Sequence, residues 1–126
     1  MWSLMRASHS SGSRASKLDE RFFLYEEDAD LCRRIRAAGW RVVFTPAAEV
    51  RHALGRSMAR APRRARLEYH RSHLLYYRKH NGRPAQAALR LLLALRGLGG
   101  WLAGQASRDA AARADGAALA RLAASF

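Results

Sequence analysis

The stretch that decides the fold is "FFLYEEDADLCRR", residues 22–34, an aromatic run followed directly by a crowd of acids. Four of the chain's ten acidic residues, Glu26, Glu27, Asp28 and Asp30, fall within five positions. The 126-residue chain as a whole nevertheless carries a formal net charge of +13. Carboxylates are favoured in the first turn of a helix because the free backbone N–H groups and the helix dipole are positive there. The stretch therefore predicts a helix that starts at this acidic cluster.

The residues after the cluster predict a helix, a turn and a strand in that order. Leu31, Ile35 and Ala38 recur at helical spacing, and Gly39 is placed to end the helix. The following "WRVVFTP", residues 40–46, is rich in β-branched and aromatic residues and closes on a proline. This composition is typical of a short strand.

The second half of the chain predicts amphipathic helices. Residues 64–80 favour one helix, and "NGRP" at 81–84 favours a turn. A further helix is expected over residues 85–98, and we expect "GLGG" at 97–100 to interrupt it. The tail beyond is rich in alanine and carries little information.

The helix predicted over residues 85–98 carries an apolar stripe at Ala88, Leu92 and Leu95. Arg90 and Arg96 fall inside the same segment, so we do not expect it to span a bilayer, which needs about 20 uninterrupted apolar residues. Two alternatives stay open: a helix that faces a protein core, or a helix that lies on a membrane surface with its arginine stems reaching toward headgroups.

The composition indicates an anionic partner and a reducing compartment. Lys and Arg number 23 against 10 Asp and Glu, which suits nucleic acid, a phosphate-bearing substrate or lipid headgroups. Cys32 is the only cysteine, so an internal disulfide is excluded. Residues 1–17 lack the apolar run of a secretory signal, and we expect a flexible leader there.

The acidic cluster by itself has two interpretations. It can be a plain helix start with a solvated acidic face, in which Asp30 pairs with Arg34 one turn later. It can also hold a general base, which must be ionised and close to an exchangeable proton. The pattern alone does not show an electrophile nearby.

The motifs on either side of the acidic cluster resemble those of a known protein family. "LDERFF", "YEEDADLC", "AAGW", "RVVFTP" and "VRH" follow one another in the order found in bacterial family 2 glycosyltransferases. The chain resembles the C-terminal part of their catalytic domain, and the rhamnosyltransferase-like branch, which builds cell-surface polysaccharides, is most similar. The resemblance covers residues 18–82, since "YHRSHLLYYRKHNG" is similar to the helix that follows the family's active site. Residues 83–126 would form a helical, alanine-rich tail.

The resemblance implies an α/β fold, a C-terminal piece of a GT-A (Rossmann-like) domain. We expect a mostly helical fragment, with one or two short strands followed by amphipathic helices. Such enzymes transfer a sugar, usually with inversion, from a nucleotide-sugar donor to a glycan or lipid-linked acceptor. A divalent metal, Mg²⁺ or Mn²⁺, is expected to stabilise the leaving diphosphate. The implied location is the cytoplasm, or the cytoplasmic face of a membrane with an anionic surface.

The resemblance also assigns roles to residues. Asp28 matches the catalytic base, and Glu27 precedes it in the family's Glu-Asp pair. His52 matches a histidine that helps to bind the metal in some relatives. The loop after it is expected to lie near the diphosphate, with Arg56 and Ser57 as substrate-binding residues. Trp40, in the family's Gly-Trp step, completes the expected substrate-binding set.

The chain departs from the family in its first part. Relatives carry a nucleotide-binding half before the matched region, including an Asp-x-Asp metal-binding motif. No acidic residue precedes Asp19, so that motif is absent from this chain. Ser16, Lys17 and Leu18 stand where the family usually has Gly-Gly-Phe. We therefore expect a truncated glycosyltransferase that is inactive alone.

Two functions of another class compete with sugar transfer. Residues 51–96 hold twelve Lys and Arg against one acid, with Tyr69, Tyr76 and Tyr77 interleaved, as a nucleic-acid-binding module would have. No nucleic-acid-binding motif is present, which disfavours that partner. The other alternative is a peripheral membrane-binding module without catalysis.

Overall fold

The computed structural model describes residues 17–43, 45–47 and 61–126. Within these ranges the chain forms four α-helices, namely α1 (Glu27–Ala37), α2 (Pro62–His80), α3 (Arg83–Ala106) and α4 (Ala110–Ala124). The prediction of a mostly helical chain is confirmed for this part of the protein.

The predicted strand is absent from the described residues. Residues 40–43 and 45–47 form no strand, and no other described segment does so. A strand needs a neighbouring strand to take up its backbone N–H and C=O groups. Because the rest of the described chain is helical, β propensity alone does not make these residues a strand. The prediction of one or two short strands is wrong for this part, and the larger GT-A domain stays a prediction.

Helix α1 forms where the acidic cluster predicts it. Acids occupy its first turn and arginines its last turn, so both ends complement the helix dipole. Gly39 follows the helix with φ +85°, a left-handed conformation that glycine adopts without steric cost. The backbone N–H of Gly39 donates to the carbonyl of Arg36 at 3.0 Å, which closes the last turn. The predicted glycine stop is confirmed.

The core lies between α2, α3 and α4. Its buried members are Leu74 of α2, Leu89 and Leu93 of α3, and Leu119 and Ala123 of α4. Tyr77 and Phe126 are among the partly buried residues packed against it. Only seven apolar side chains are buried among the described residues, so this core is small.

Helix α3 continues through "GLGG" instead of ending there. The glycines at 97 and 104 face α4, and Gly116 of α4 faces α3. A Cβ at Gly97 would lie 2.7 Å from the backbone nitrogen of Ala120 and 2.8 Å from the carbonyl oxygen of Gly116. The glycines thus let the two antiparallel helix backbones approach closely, and this packing offsets their poor helix propensity. The predicted interruption at 97–100 is wrong for this reason.

The buried face of α3 is not the predicted apolar stripe. Leu89 and Leu93 are 9% and 4% exposed, whereas Leu92 and Leu95 are 62% and 57% exposed. The helix has apolar residues around most of its circumference, so periodicity cannot say which side is covered. The glycines decide it, because only their side of the helix admits α4 at short range.

The close packing of α3 on α4 predicts a strong effect of Gly116→Ala. The new Cβ would meet the backbone nitrogen of Trp101 and lie 2.5 Å from the carbonyl oxygen of Gly97. Backbone cannot move aside without separating the helices, so we expect a loss of about 2–3 kcal/mol in the free energy of unfolding, measured by urea titration.

Gly99→Ala is the matched control, since nothing lies within 4 Å of its Cβ position. Alanine at this open helical position should raise the free energy of unfolding by about 0.5–1 kcal/mol. Equal effects of the two substitutions would contradict close packing at Gly116.

Candidate functional site

The acids at the start of α1 lie in different environments, and Asp28 is the exposed one. Its Oδ1 accepts a hydrogen bond from the backbone N–H of Ala29 at 2.8 Å. This bond holds the carboxylate at the helix N-terminus through Oδ1, and the residue as a whole stays exposed. A general base must be reachable by its substrate. Asp28 meets this requirement.

Glu27 differs from Asp28 in the burial of one of its carboxylate oxygens. Glu27 Oε2 is buried, and it has no hydrogen-bond partner among the described residues. A buried carboxylate oxygen without a donor is costly, so such an atom in a folded protein calls for an explanation. Because the atom is buried, a substrate hydroxyl does not reach it in this arrangement, and the described residues assign it no role.

An unusual backbone turn leads into α1. Tyr25 and Glu26 both have φ of 65°, the left-handed region that costs non-glycine residues on the order of 1–3 kcal/mol each. Side chains of α2 hold the turn on both sides. Glu26 Oε1 lies 2.7 Å from His73 Nδ1, and the Tyr25 ring packs edge-on against Tyr69 at 5.7 Å. The turn therefore sets the orientation of the helix start that carries Glu27 and Asp28.

Asp30 is fully buried and joins α1 to α2. Arg34 of its own helix donates from Nε at 2.8 Å, which confirms the predicted pair one turn apart. Two side chains of α2 complete the cluster: Lys79 Nζ at 2.7 Å and His80 Nε2 at 2.6 Å from Asp30 Oδ1. A buried carboxylate is stable only when it is paired and hydrogen-bonded, and here three basic groups surround it.

A second carboxylate shares Lys79. Asp19 Oδ2 lies 2.6 Å from Lys79 Nζ and 2.7 Å from Arg21 Nη2. The ammonium group also lies 5.7 Å from the centre of the Phe22 ring, which is 6% exposed. The segment before α1 is therefore attached to the last turn of α2 by charge and by an aromatic contact.

These contacts lower the pKa values of both buried or half-buried aspartates. Burial alone would raise the pKa of Asp30, but hydrogen bonds from Lys79, His80 and Arg34 outweigh it and hold the pKa below the ordinary value of 3.8. The hydrogen bond from Arg21, together with the bond and charge of Lys79, holds the pKa of Asp19 well below its usual range. Both groups are thus stabilised in the ionised form.

Arg33 adds a third link between the two helices. Its Nη2 donates to the backbone carbonyl of His80 at 2.7 Å, and its Nη1 donates to Asn81 Oδ1 at 3.1 Å. The carbonyl of His80 lies in the last turn of α2, where no intrahelical N–H is available to it. Arg33 therefore satisfies the end of α2 while it orients α1.

The sequence did not reveal the roles of His73, Lys79 and His80. All three belong to a basic stretch of α2 to which the sequence assigned no contact. One signal was present: the acids at the start of α1 and the basic last turn of α2 have opposite charge. Which acid meets which base depends on residues about 50 positions apart.

Trp40 lies at the other end of α1 from Asp28. Its ring is 53% exposed beside an open depression that Arg36, Gly39 and Arg41 help to line. At a rise of about 1.5 Å per residue, the helix separates the two by about 15 Å. The structure does not bring them together, and the substrate-binding role of Trp40 stays a prediction. The other residues of the expected site, His52, Arg56 and Ser57, lie outside the described residues.

The described residues do not form a metal site. No group of three or more His, Cys, Asp or Glu side chains gathers in this part of the chain at distances that would hold a cation. Asp28 and Glu27 offer carboxylate oxygens, and the remaining acids nearby are engaged with basic side chains. The donor set of the described residues therefore does not fit a divalent cation by itself.

The buried cluster predicts a large effect of Asp30→Asn. The substitution keeps the shape and removes the charge that pairs with Lys79, His80 and Arg34. We expect the free energy of unfolding to fall by about 3 kcal/mol, as measured by urea titration near neutral pH. Asp115→Asn is the control, since its carboxylate pairs with arginines at the surface. It should cost less than about 1 kcal/mol.

The lowered pKa of Asp30 predicts how the free energy of unfolding depends on pH. Its contribution is complete above the pKa of the unfolded state, 3.8, and is lost as the pH falls below that value toward the lower folded-state pKa. The stability difference between wild type and Asp30→Asn should therefore be largest near neutral pH and shrink by about pH 3. A difference that stays constant across this range would contradict the ionised cluster.

Comparison with known proteins supports the resemblance. Two curated relatives, from two strains of Mycobacterium tuberculosis, are each called N-acetylglucosaminyl-diphospho-decaprenol L-rhamnosyltransferase. Each is 36% identical to this chain over 98 residues. The match covers 75% of this chain and 32% of the relative, so the chain spans about a third of the length of these relatives. No family model matches the chain, and no solved structure does so at a significant level.

The ordered motifs around the acidic cluster and this identity over three quarters of the chain point the same way. The predicted resemblance is confirmed: the chain is similar to about a third of a mycobacterial rhamnosyltransferase, which is a glycosyltransferase.

Proposed function

We propose that this chain carries the base-bearing part of an inverting, family 2-like glycosyltransferase. The enzyme would transfer a sugar from a nucleotide-sugar donor to a lipid-linked acceptor in the synthesis of a cell-surface polysaccharide. The observation that carries the proposal is the exposed carboxylate of Asp28 at the start of a helix that buried ion pairs hold in place. The related mycobacterial proteins, by their name, transfer L-rhamnose to a decaprenol-linked diphosphosugar.

In the proposed reaction Asp28 is the general base. Its free carboxylate oxygen takes the proton of the acceptor hydroxyl as that oxygen forms a bond to the anomeric carbon of the donor. The bond from the anomeric carbon to the nucleotide diphosphate breaks with its electron pair on the leaving diphosphate. Glu27, which precedes Asp28 in the Glu-Asp pair of the resemblance, is kept as its proposed catalytic neighbour.

The rigid support of Asp28 favours this role. A catalytic carboxylate must be held within a fraction of an ångström of its working position, which takes locked neighbours. The left-handed turn at 25–26 and the buried Asp30 lie on either side of Asp28. Both are attached to α2, through His73 and His80 respectively.

The proposed metal and diphosphate ligands lie outside the described residues. We keep His52 as the proposed metal ligand, with Arg56 and Ser57 beside the diphosphate, and assign no step to a cation because the described residues do not gather its ligands. We expect no sugar transfer from the chain alone, since the relatives are about three times as long as the part it matches.

The nucleic-acid alternative is less favoured by the contacts of the tyrosines. Tyr76 and Tyr77 are half-buried and pack against His80 and His73, with ring centres 4.9 and 5.0 Å apart. A stacking surface needs free ring faces. Tyr76 instead contacts Arg33 of α1, and Tyr77 packs against the apolar core.

A chimeric enzyme tests the proposed base. The part of this chain that matches the mycobacterial relative over 98 residues would replace the corresponding segment of that protein, and transfer of rhamnose to its decaprenol-linked acceptor would be measured. Asp28→Asn should lower kcat by about 10²- to 10⁴-fold, because a general base contributes that much, with little change in the unfolding temperature.

Asp115→Asn in the same chimera is the control, since it makes the same chemical change on α4, and its kcat should stay within about twofold. Unchanged transfer by Asp28→Asn in an active chimera would exclude Asp28 as the base. A chimera without any transfer, although folded and able to bind the donor, would contradict the proposed function itself.

A further inference from the structure

The outer face of α3 is a continuous apolar surface, and none of the described residues packs against it. Its large side chains are each at least half exposed, namely Leu91 (61%), Leu92 (62%), Leu95 (57%), Leu98 (50%) and Leu102 (53%). Single exposed leucines are ordinary, but five on one helix face form a patch of the kind that marks an interaction site. We call it the leucine face of α3.

The leucine face is narrow, straight and bordered by arginine. At about 100° per residue its five side chains fall within an arc of about 120° on the helix. Arg96 lies just beyond one edge of the arc and Arg83 lies beyond the other, whereas Arg90 donates from Nε to the backbone carbonyl of Ala123 on α4. Helix α3 contains no acidic residue. The surface is therefore apolar along its centre and positive along both edges.

We propose that the leucine face of α3 binds the surface of an anionic membrane. The helix would lie in the plane of the bilayer interface with its leucines among the upper acyl chains. The arginines at the edges would reach up to the phosphate groups, since long basic side chains place an apolar stem in the lipid and the charge in the headgroup layer. The net charge of +13 adds attraction to an anionic surface.

A flat position fits the structure better than a spanning one. By length and composition alone, the 24-residue helix could cross a bilayer. Its opposite face, however, packs on α2 and α4 through Leu89, Leu93 and Gly97. Spanning would remove α3 from this core and would place Arg90 and Arg96 within the hydrocarbon layer, which is costly. Lying flat keeps the core and buries only the free face.

A second copy of the chain fits the leucine face less well. Two such faces pressed together would bring their arginine borders close to one another, and α3 offers no carboxylate to neutralise them. Like charges placed together across an interface oppose association. Anionic lipids supply the missing negative charge along both edges, and acyl chains accept the leucines. Charge complementarity thus selects the membrane as the occupant.

Membrane binding goes beyond the proposed sugar transfer and can be tested without it, because it requires none of the carboxylates of α1. The full chain would be mixed with vesicles of equal parts phosphatidylglycerol and phosphatidylcholine, or of phosphatidylcholine alone, and floated through a density gradient. We expect recovery with the anionic vesicles, weaker recovery at high salt and little recovery with neutral vesicles.

Matched variants locate the contact. Leu95→Ser with Leu98→Ser should weaken partitioning into anionic vesicles by at least about tenfold, because two leucines no longer enter the lipid. Leu18→Ser with Val43→Ser is the control, since these side chains are equally exposed but lie away from α3, at 56% and 54%. Partitioning of this control variant into anionic vesicles should stay within about twofold of wild type. Circular dichroism and the unfolding temperature would show that both variants fold.

The charged borders have a test of their own. Arg83→Gln with Arg96→Gln should lower anionic binding by about tenfold or more, since each arginine near the surface contributes severalfold. Arg64→Gln with Arg71→Gln removes the same charge from α2 and should have a smaller effect. Equal losses in the two double variants would show that overall charge, and not the leucine face, binds the lipid.

Three outcomes would overturn the proposal: no flotation with anionic vesicles at low salt, equal losses in the two serine variants, or equal losses in the two glutamine variants. Sedimentation of the lipid-free chain measures whether a second copy occupies the leucine face instead. A dimer that Leu95→Ser with Leu98→Ser dissociates, together with absent flotation, would assign the leucine face to a second copy.

Discussion

The buried carboxylate of Asp30 is the contact on which the arrangement of α1 depends. It receives Arg34 from its own helix and Lys79 and His80 from α2. A buried charge is costly unless its partners are in place, so these groups must occupy one arrangement. Helix α1 contributes no side chain to the apolar core, and it is held to α2 by polar and aromatic contacts instead. Asp30 therefore fixes the helix that carries the candidate base.

This constraint explains why two acids of one cluster lie in different environments. Asp28 and Asp30 are two positions apart, so they point about 200° away from each other on the helix. One faces accessible space and the other faces the basic end of α2. In the proposed reaction the exposed acid is the base, and the buried acid holds the helix that carries it. One turn of helix would then carry both a structural and a catalytic carboxylate.

Helix α3 shows the same division between two faces of one element. Its glycines admit α4 at short range and define the buried side, which leaves five leucines on the other side. The sequence predicted an apolar stripe and left open whether it faces a protein core or a membrane, and the described residues leave it uncovered. The sequence could not decide, because a helix that is apolar around most of its circumference offers no period from which to choose. The uncovered stripe then becomes evidence for a partner.

The sequence by itself determined the local features. Acids at the start of α1 and Gly39 at its end act within a turn of helix, so their neighbours suffice to predict them. The ordered motifs likewise identified the related enzymes. The tertiary structure alone decided which acid is buried, which face of α3 is covered, and that residues 40–43 form no strand. Those outcomes depend on contacts between residues far apart in the chain, whose energies no local pattern contains.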